Sequence, residues 1–295
     1  MLTSDGANVG YNPDTTTESS IRCTWYADKE GVYLFSDMAD TRSNEQGTNV
    51  HGLFGAIIVE AAGSTWLDPV TGKPLDSGLF ADIYNPAKPA FREYAVFFHD
   101  ELEIKTKDGG EPIDPHTGLP NGTTAISYRS EPMRNRLPLD PHADHTDTAE
   151  DISMSSWAYG DPAPPVLKAY VGDPATPLLC SYVGERVKIR LLMPADKPRN
   201  ISFLLHGHRW KAQRGDPLSN DITVQGAMSV GNVFNIEPER TNCRGDYLYR
   251  SGSLRWDVES GMWGIFRIMN RNIRCHCESA CRRMKLWLDK KHRKE

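Results

Sequence analysis

Apolar residues come in short bursts along this chain, and each burst is closed by Gly, Asp, Asn or Pro. Ile21-Arg-Cys-Thr-Trp-Tyr26, Val32-Tyr-Leu-Phe35 and Gly55-Ala-Ile-Ile-Val-Glu60 are rich in β-branched and aromatic residues. That pattern predicts strands rather than helices. Tyr94-Ala-Val-Phe-Phe-His99 opens a second set. It continues through Val187–Met193, Ile201–Leu205, Val230–Phe234, Asp246–Tyr249 and Trp263–Met269. With almost no helical periodicity between the runs, the expected fold is all-β, built of sandwiches or barrels. Only Cys281-Arg-Arg-Met-Lys-Leu-Trp-Leu288 reads as a helix.

A chain of 295 residues has room for two domains. Between residues 101 and 165 it turns polar, with Asp114-Pro115, Asp140-Pro141 and the acidic stretch Asp140-Pro-His-Ala-Asp-His145. A loop of that length in a compact domain is unusual, so part of it is expected to drape over a neighbour. The expected division is a partial domain over 1–64 and a linker or insertion over 65–165 that carries the opening strands of the next domain. A full domain then covers 166–269, and a basic, Cys-containing tail covers 270–295.

The net charge of −5 argues against general nucleic-acid binding, and no apolar run reaches the length of a membrane span. The charge is uneven, with a tail near +6 and a remainder near −11. No secretory signal is visible at Met1–Gly6. Of six cysteines, Cys275, Cys277 and Cys281 crowd the tail, whereas Cys23, Cys180 and Cys243 are isolated. That is not a disulfide framework, and the compartment stays open.

Three stretches together resemble the multicopper oxidases. His51-Gly-Leu-Phe-Gly-Ala-Ile-Ile-Val-Glu60 is similar to the turn and final strand that close a cupredoxin domain of that family. Phe203-Leu-Leu-His-Gly-His208 resembles its His-rich strand. Gly245-Asp-Tyr-Leu-Tyr249 with Gly261-Met-Trp-Gly264 resembles its closing strand, ligand loop and Gly-Met turn. The resemblance is nearest to the large bacterial enzymes grouped with manganese-oxidising and ceruloplasmin-like members. It implies two cupredoxin-like Greek-key β-sandwich domains, the first incomplete. It also implies a secreted or cell-surface setting, and a chain that starts just after the first His-x-His-Gly strand.

Copper chemistry of that kind needs a Cys thiolate, imidazoles and often a weak axial Met. Where the family carries His-Cys-His, this chain has Ser251, Gly252 and Ser253. Asp257 takes a further ligand position, and only Met262 keeps its type. In the His-rich strand Ile201 and Leu204 replace two imidazoles, leaving His206 at a ligand position with His208 beside it. Phe35-Ser36-Asp37-Met38 stands where a His-x-His pair is expected. His206 and His208 are therefore the candidate copper ligands, set against the plainer reading that both close a turn. His51 reads as a turn residue and His99 as a satisfied edge histidine. His142 with His145 could take a divalent ion among Asp140, Asp144 and Asp147, and Cys275-His276-Cys277 with Cys281 a soft metal; a solvated loop and a non-functional tail are the competing readings.

Neither a serine-nucleophile elbow nor a phosphate-binding glycine loop is present. The family relationship implies a copper-binding oxidoreductase that passes electrons from a metal ion or organic substrate to dioxygen. The residues themselves favour a non-catalytic cupredoxin scaffold that packs against other cupredoxin domains or subunits. An extracellular metal-binding module using the acidic loop, which a calcium titration would tell from a copper role, is a third possibility.

Overall fold

The computed structural model describes residues 10, 15–16, 18–38, 40, 47–100, 102–113, 125–133, 136, 154, 156, 173–194, 200–239 and 243–270. Fifteen strands run through them with no α-helix among the described residues. The acidic loop around His142 and His145, the helix expected at 281–288 and the tail cysteines lie outside this set.

Alternation within the strands builds the core. Strand β5 (Lys88–His99) turns Tyr94, Val96 and Phe98 to one side, and β8 (Val187–Leu192) turns Val187, Ile189 and Leu191 to the same side. They run in parallel, Tyr94 opposite Ile189. Flanked by β13 (Val233–Ile236) on one side and by β4 (Phe80–Asn85) and β3 (Thr65–Leu67) on the other, they form one sheet, and β6 (Ala125–Ile126) pairs with the end of β5. The second sheet has the order β12 (Val224–Met228), β9 (Ile201–Leu205), β14 (Gly245–Ser251), β15 (Trp263–Met269), β7 (Leu179–Tyr182). Phe203, Leu205, Tyr249, Phe266 and Ile268 on its inner face meet the first sheet in one apolar core. Each sheet thus holds one parallel pair, β5 with β8 and β15 with β7, among antiparallel neighbours. The fold is an all-β sandwich of two mixed sheets.

The sandwich draws on strands from residue 65 onward, because β5 supplies the centre of the first sheet. Two expected strands differ. Ile21–Tyr26 forms no strand, with Trp25 and Tyr26 exposed, since β-propensity yields a strand only where a sheet accepts the segment. The run at Val230–Phe234 begins as a turn in which Asn232 Oδ1 accepts from Ser229 N at 2.8 Å, and the strand starts at Val233.

Strands β1 (Gly31–Ser36) and β2 (Phe54–Val59) form a separate hairpin. One face of it, with Val32, Leu34, Ala56 and Ile58, lies on the outer side of the first sheet against Ala95, Phe97 and Leu192. Charges fasten the hairpin at its end. Glu60 pairs with Arg190, which also donates from Nε to Glu93 at 2.7 Å and from Nη1 to Asn235 at 2.5 Å. Lys188 joins the group, 3.7 Å from Glu60 and over the ring of Phe91. Burial, then the neighbouring Arg190 charge, push the Lys188 ammonium down to about 8, while burial raises Glu93 against the pull of Arg190.

The hairpin β1–β2 repeats β14–β15. Gly31 faces Val59 as Gly245 faces Ile268, and Phe35 faces Gly55 as Tyr249 faces Gly264. At the loop mouths the Asp37 amide donates to Leu53 O at 3.0 Å, and the Ser251 amide to Met262 O at 3.1 Å. In both hairpins a glycine admits the aromatic ring across the pair. A Cβ on Gly55 would lie 2.6 Å from the Phe35 ring, and one on Gly264 would overlap the ring of Tyr249.

Candidate functional site

The site is assembled where β9 ends beside β14. Strand β9 delivers Leu205 to the core, and the chain then turns at Gly207, whose φ of +72° suits a residue without a Cβ. His206 is tied by its amide to Leu248 O at 2.9 Å and stays exposed. Its carbonyl accepts from Nδ1 of His208 at 3.0 Å. The His208 ring is buried, edge-on to Tyr247 at 4.5 Å and to Phe266 at 5.3 Å. The two imidazoles therefore serve different surroundings. His206 meets Arg250, whose Nε donates to its Nε2 at 3.1 Å, and His208 closes the turn from within. Burial lowers the pKa of both rings, and the Arg250 charge adds to the effect on His206.

The loop from Ser251 to Met262 is closed by its own bonds. Fully buried Ser251 donates from Oγ to Oδ2 of Asp257, which is itself buried. The Met262 amide donates to Asp257 O at 2.8 Å, and the Gly252 amide to Ser202 O at 3.1 Å. A single π-helical turn, Leu254–Val258, spans the loop and turns Trp256 to solvent. Arg250 Nη1 donates to Ser251 O at 2.8 Å, so one guanidinium holds both the loop and His206. Met262 lies in the apolar core.

These residues do not fit a copper ion of the type-1 or trinuclear kind. Soft or imidazole donors have to converge from several positions. Here the positions are filled by a hydroxyl, a backbone turn and a carboxylate already bonded to that hydroxyl. No group of three or more His, Cys, Asp or Glu side chains is placed to hold a metal among the described residues.

The other two histidines among the described residues, His51 and His99, make structural contacts. His51 Nδ1 lies 2.8 Å from Glu103 O in the turn before β2. His99 at the end of β5 is buried, stacks on Phe54 at 5.3 Å and hydrogen-bonds Asn49 O at 3.1 Å. Burial pushes its pKa down to about 4, so it is neutral at ordinary pH. Asp37 accepts from Thr48 Oγ1 at 2.8 Å within the β1–β2 loop. Sequence reasoning missed the Glu60–Arg190–Glu93–Lys188 group. The available signal was the alternation of charge with aliphatics in Val187-Lys-Ile-Arg-Leu-Leu192, which on a covered face demands partners.

No protein-family model matches the chain, and no curated protein sequence matches it. Among solved structures, a copper nitrite reductase from Nitrosomonas europaea is similar, with a TM-score of 0.45 and 16% identity over 92% of this chain and 74% of that one. No helix among the described residues is long and apolar enough to cross a membrane.

Proposed function

We propose that this chain is a cupredoxin-type scaffold of a multicopper-oxidase-like oxidoreductase, holding no redox copper of its own and packing against further cupredoxin domains or subunits. The observation that carries the reading is the buried Ser251–Asp257 bond in the loop where copper ligands would converge. A loop whose polar groups satisfy each other inside the fold has no unmet need for a metal. The absence of Cys from residues 244 to 262 removes the thiolate on which a blue centre depends.

The copper-binding reading rests on His206, which is exposed and whose pKa is held down by burial and Arg250, so that its imidazole is neutral near neutral pH. One imidazole is a weak site, and oxidation of a metal ion or organic substrate by dioxygen would need ligands from another chain. Metal analysis and a visible spectrum of the purified, copper-titrated protein separate the two. A stoichiometric copper that survives gel filtration, or an intense thiolate-to-copper band, would sink the scaffold reading; neither is expected.

A further inference from the structure

The repeat of β14–β15 in β1–β2 assigns an inside and an outside to the N-terminal hairpin. In the sandwich, the face carrying Tyr247, Tyr249, Phe266 and Ile268 is covered by the opposing sheet, and Tyr249 and Phe266 are almost completely buried. The register places Tyr33, Phe35, Ile57 and Val59 at the same positions of the hairpin. Tyr33, Phe35 and Ile57 remain 48%, 46% and 37% exposed. The opposite face, equivalent to Leu248 and Ile265, is already packed on the sandwich through Leu34 and Ala56. The exposed side therefore holds the positions that face the core in β14–β15.

The edges carry the same message. Strand β14 is flanked by β9, antiparallel with Tyr249 opposite Leu205, and β15 by β7, parallel with Phe266 opposite Leu179. Neither β1 nor β2 has a third strand among the described residues. Open edges and an open apolar face on one hairpin call for backbone pairing together with side-chain packing.

We propose that the Tyr33–Phe35–Ile57 face is an interaction surface for a separate polypeptide presenting an apolar, largely antiparallel β-sheet, with one of its strands antiparallel along β1 and another parallel along β2. This rests on the scaffold reading and names its partner by chemistry. A second copy of this chain offering only its own hairpin is a poorer fit. Two strands of six residues present roughly 200 Å², far below the ~800 Å² per partner of a stable complex. A sheet that also adds edge strands gains the missing area and the backbone bonds.

The probe is a labelled synthetic peptide of residues 200–206, the sequence of the strand that flanks β14, added to the full chain. Saturable binding is expected, with new hydrogen-exchange protection confined to residues 31–36. Phe35→Asp should weaken binding at least about tenfold, the loss expected when one large aromatic contact is removed. Leu218→Asp, at an exposed position elsewhere, should leave it unchanged. If Phe35→Asp disturbs the far-UV spectrum, Tyr33→Asp on the same face replaces it. Absent saturation, equal binding by the face variants, or protection mapping to 245–251 instead would overturn the proposal. So would a peptide-free dimer that Phe35→Asp dissociates, which would assign the face to a second copy. Copper content measured on the same samples reports on the scaffold reading separately, because peptide binding does not depend on it.

Discussion

Arg250 Nε lies 3.1 Å from His206 Nε2, and chemistry fixes which atom donates. A guanidinium has no acceptor and keeps its protons, so the His206 nitrogen must present its lone pair to Arg250 and carry its hydrogen on Nδ1. The exposed imidazole nitrogen best placed to meet a metal already accepts a charge-assisted hydrogen bond. Any cation arriving there also faces the Arg250 charge.

Removing that guanidinium is expected to expose what little metal affinity the turn has. Arg250→Ala should raise the affinity for copper by about tenfold, the size of one hydrogen bond to a charged group. The gain should vanish in Arg250→Ala/His206→Ala. Isothermal titration of the two variants and the parent protein checks this, and an unchanged affinity in Arg250→Ala would show that His206 is not a ligand.

The loop is expected to depend on its internal bond for stability. Ser251→Ala leaves buried Asp257 with one donor fewer and should cost about 1–3 kcal/mol in urea unfolding. Ser251→Cys should give no blue centre, because no second imidazole converges there among the described residues. A coloured Ser251→Cys protein would contradict the loop geometry described above.

The two repeated glycines should differ sharply in tolerance. Gly264→Ala places a methyl into the ring of fully buried Tyr249, which has no room to move, and should destabilise by roughly 2–4 kcal/mol. Gly55→Ala meets the ring of Phe35, which is nearly half exposed and can swing away, so a cost below about 1 kcal/mol is expected. Thermal melts of both variants test the contrast; equal losses would mean that the Phe35 face is already covered in solution.

Acid should act through His99. Its folded pKa is pushed down to about 4, below the ordinary value near 6.5, so between those values the unfolded chain binds the extra proton. Stability is therefore fully present above pH ~6.5 and falls as the pH drops toward 4, by on the order of 3 kcal/mol from this residue. His99→Gln, which keeps an N–H for Asn49 O, should flatten that part of the profile. An unchanged slope between pH 6.5 and 4 in the variant would remove His99 from the account.

Sequence alone determined the β character of this protein and the emptiness of its ligand loop. Short bursts of β-branched and aromatic residues closed by Gly, Asp, Asn or Pro specify strands, and Ser251, Gly252 and Ser253 hold no thiolate wherever they sit. Tertiary structure alone decided that Ile21–Tyr26 forms no strand, since a strand exists only where another backbone accepts it. It likewise separated His206 from His208, which are two residues apart yet face Arg250 and Phe266. Pairing partners, burial and the direction of a side chain depend on residues tens or hundreds of positions away. Glu60 finds Arg190 across that distance, and no local pattern records it.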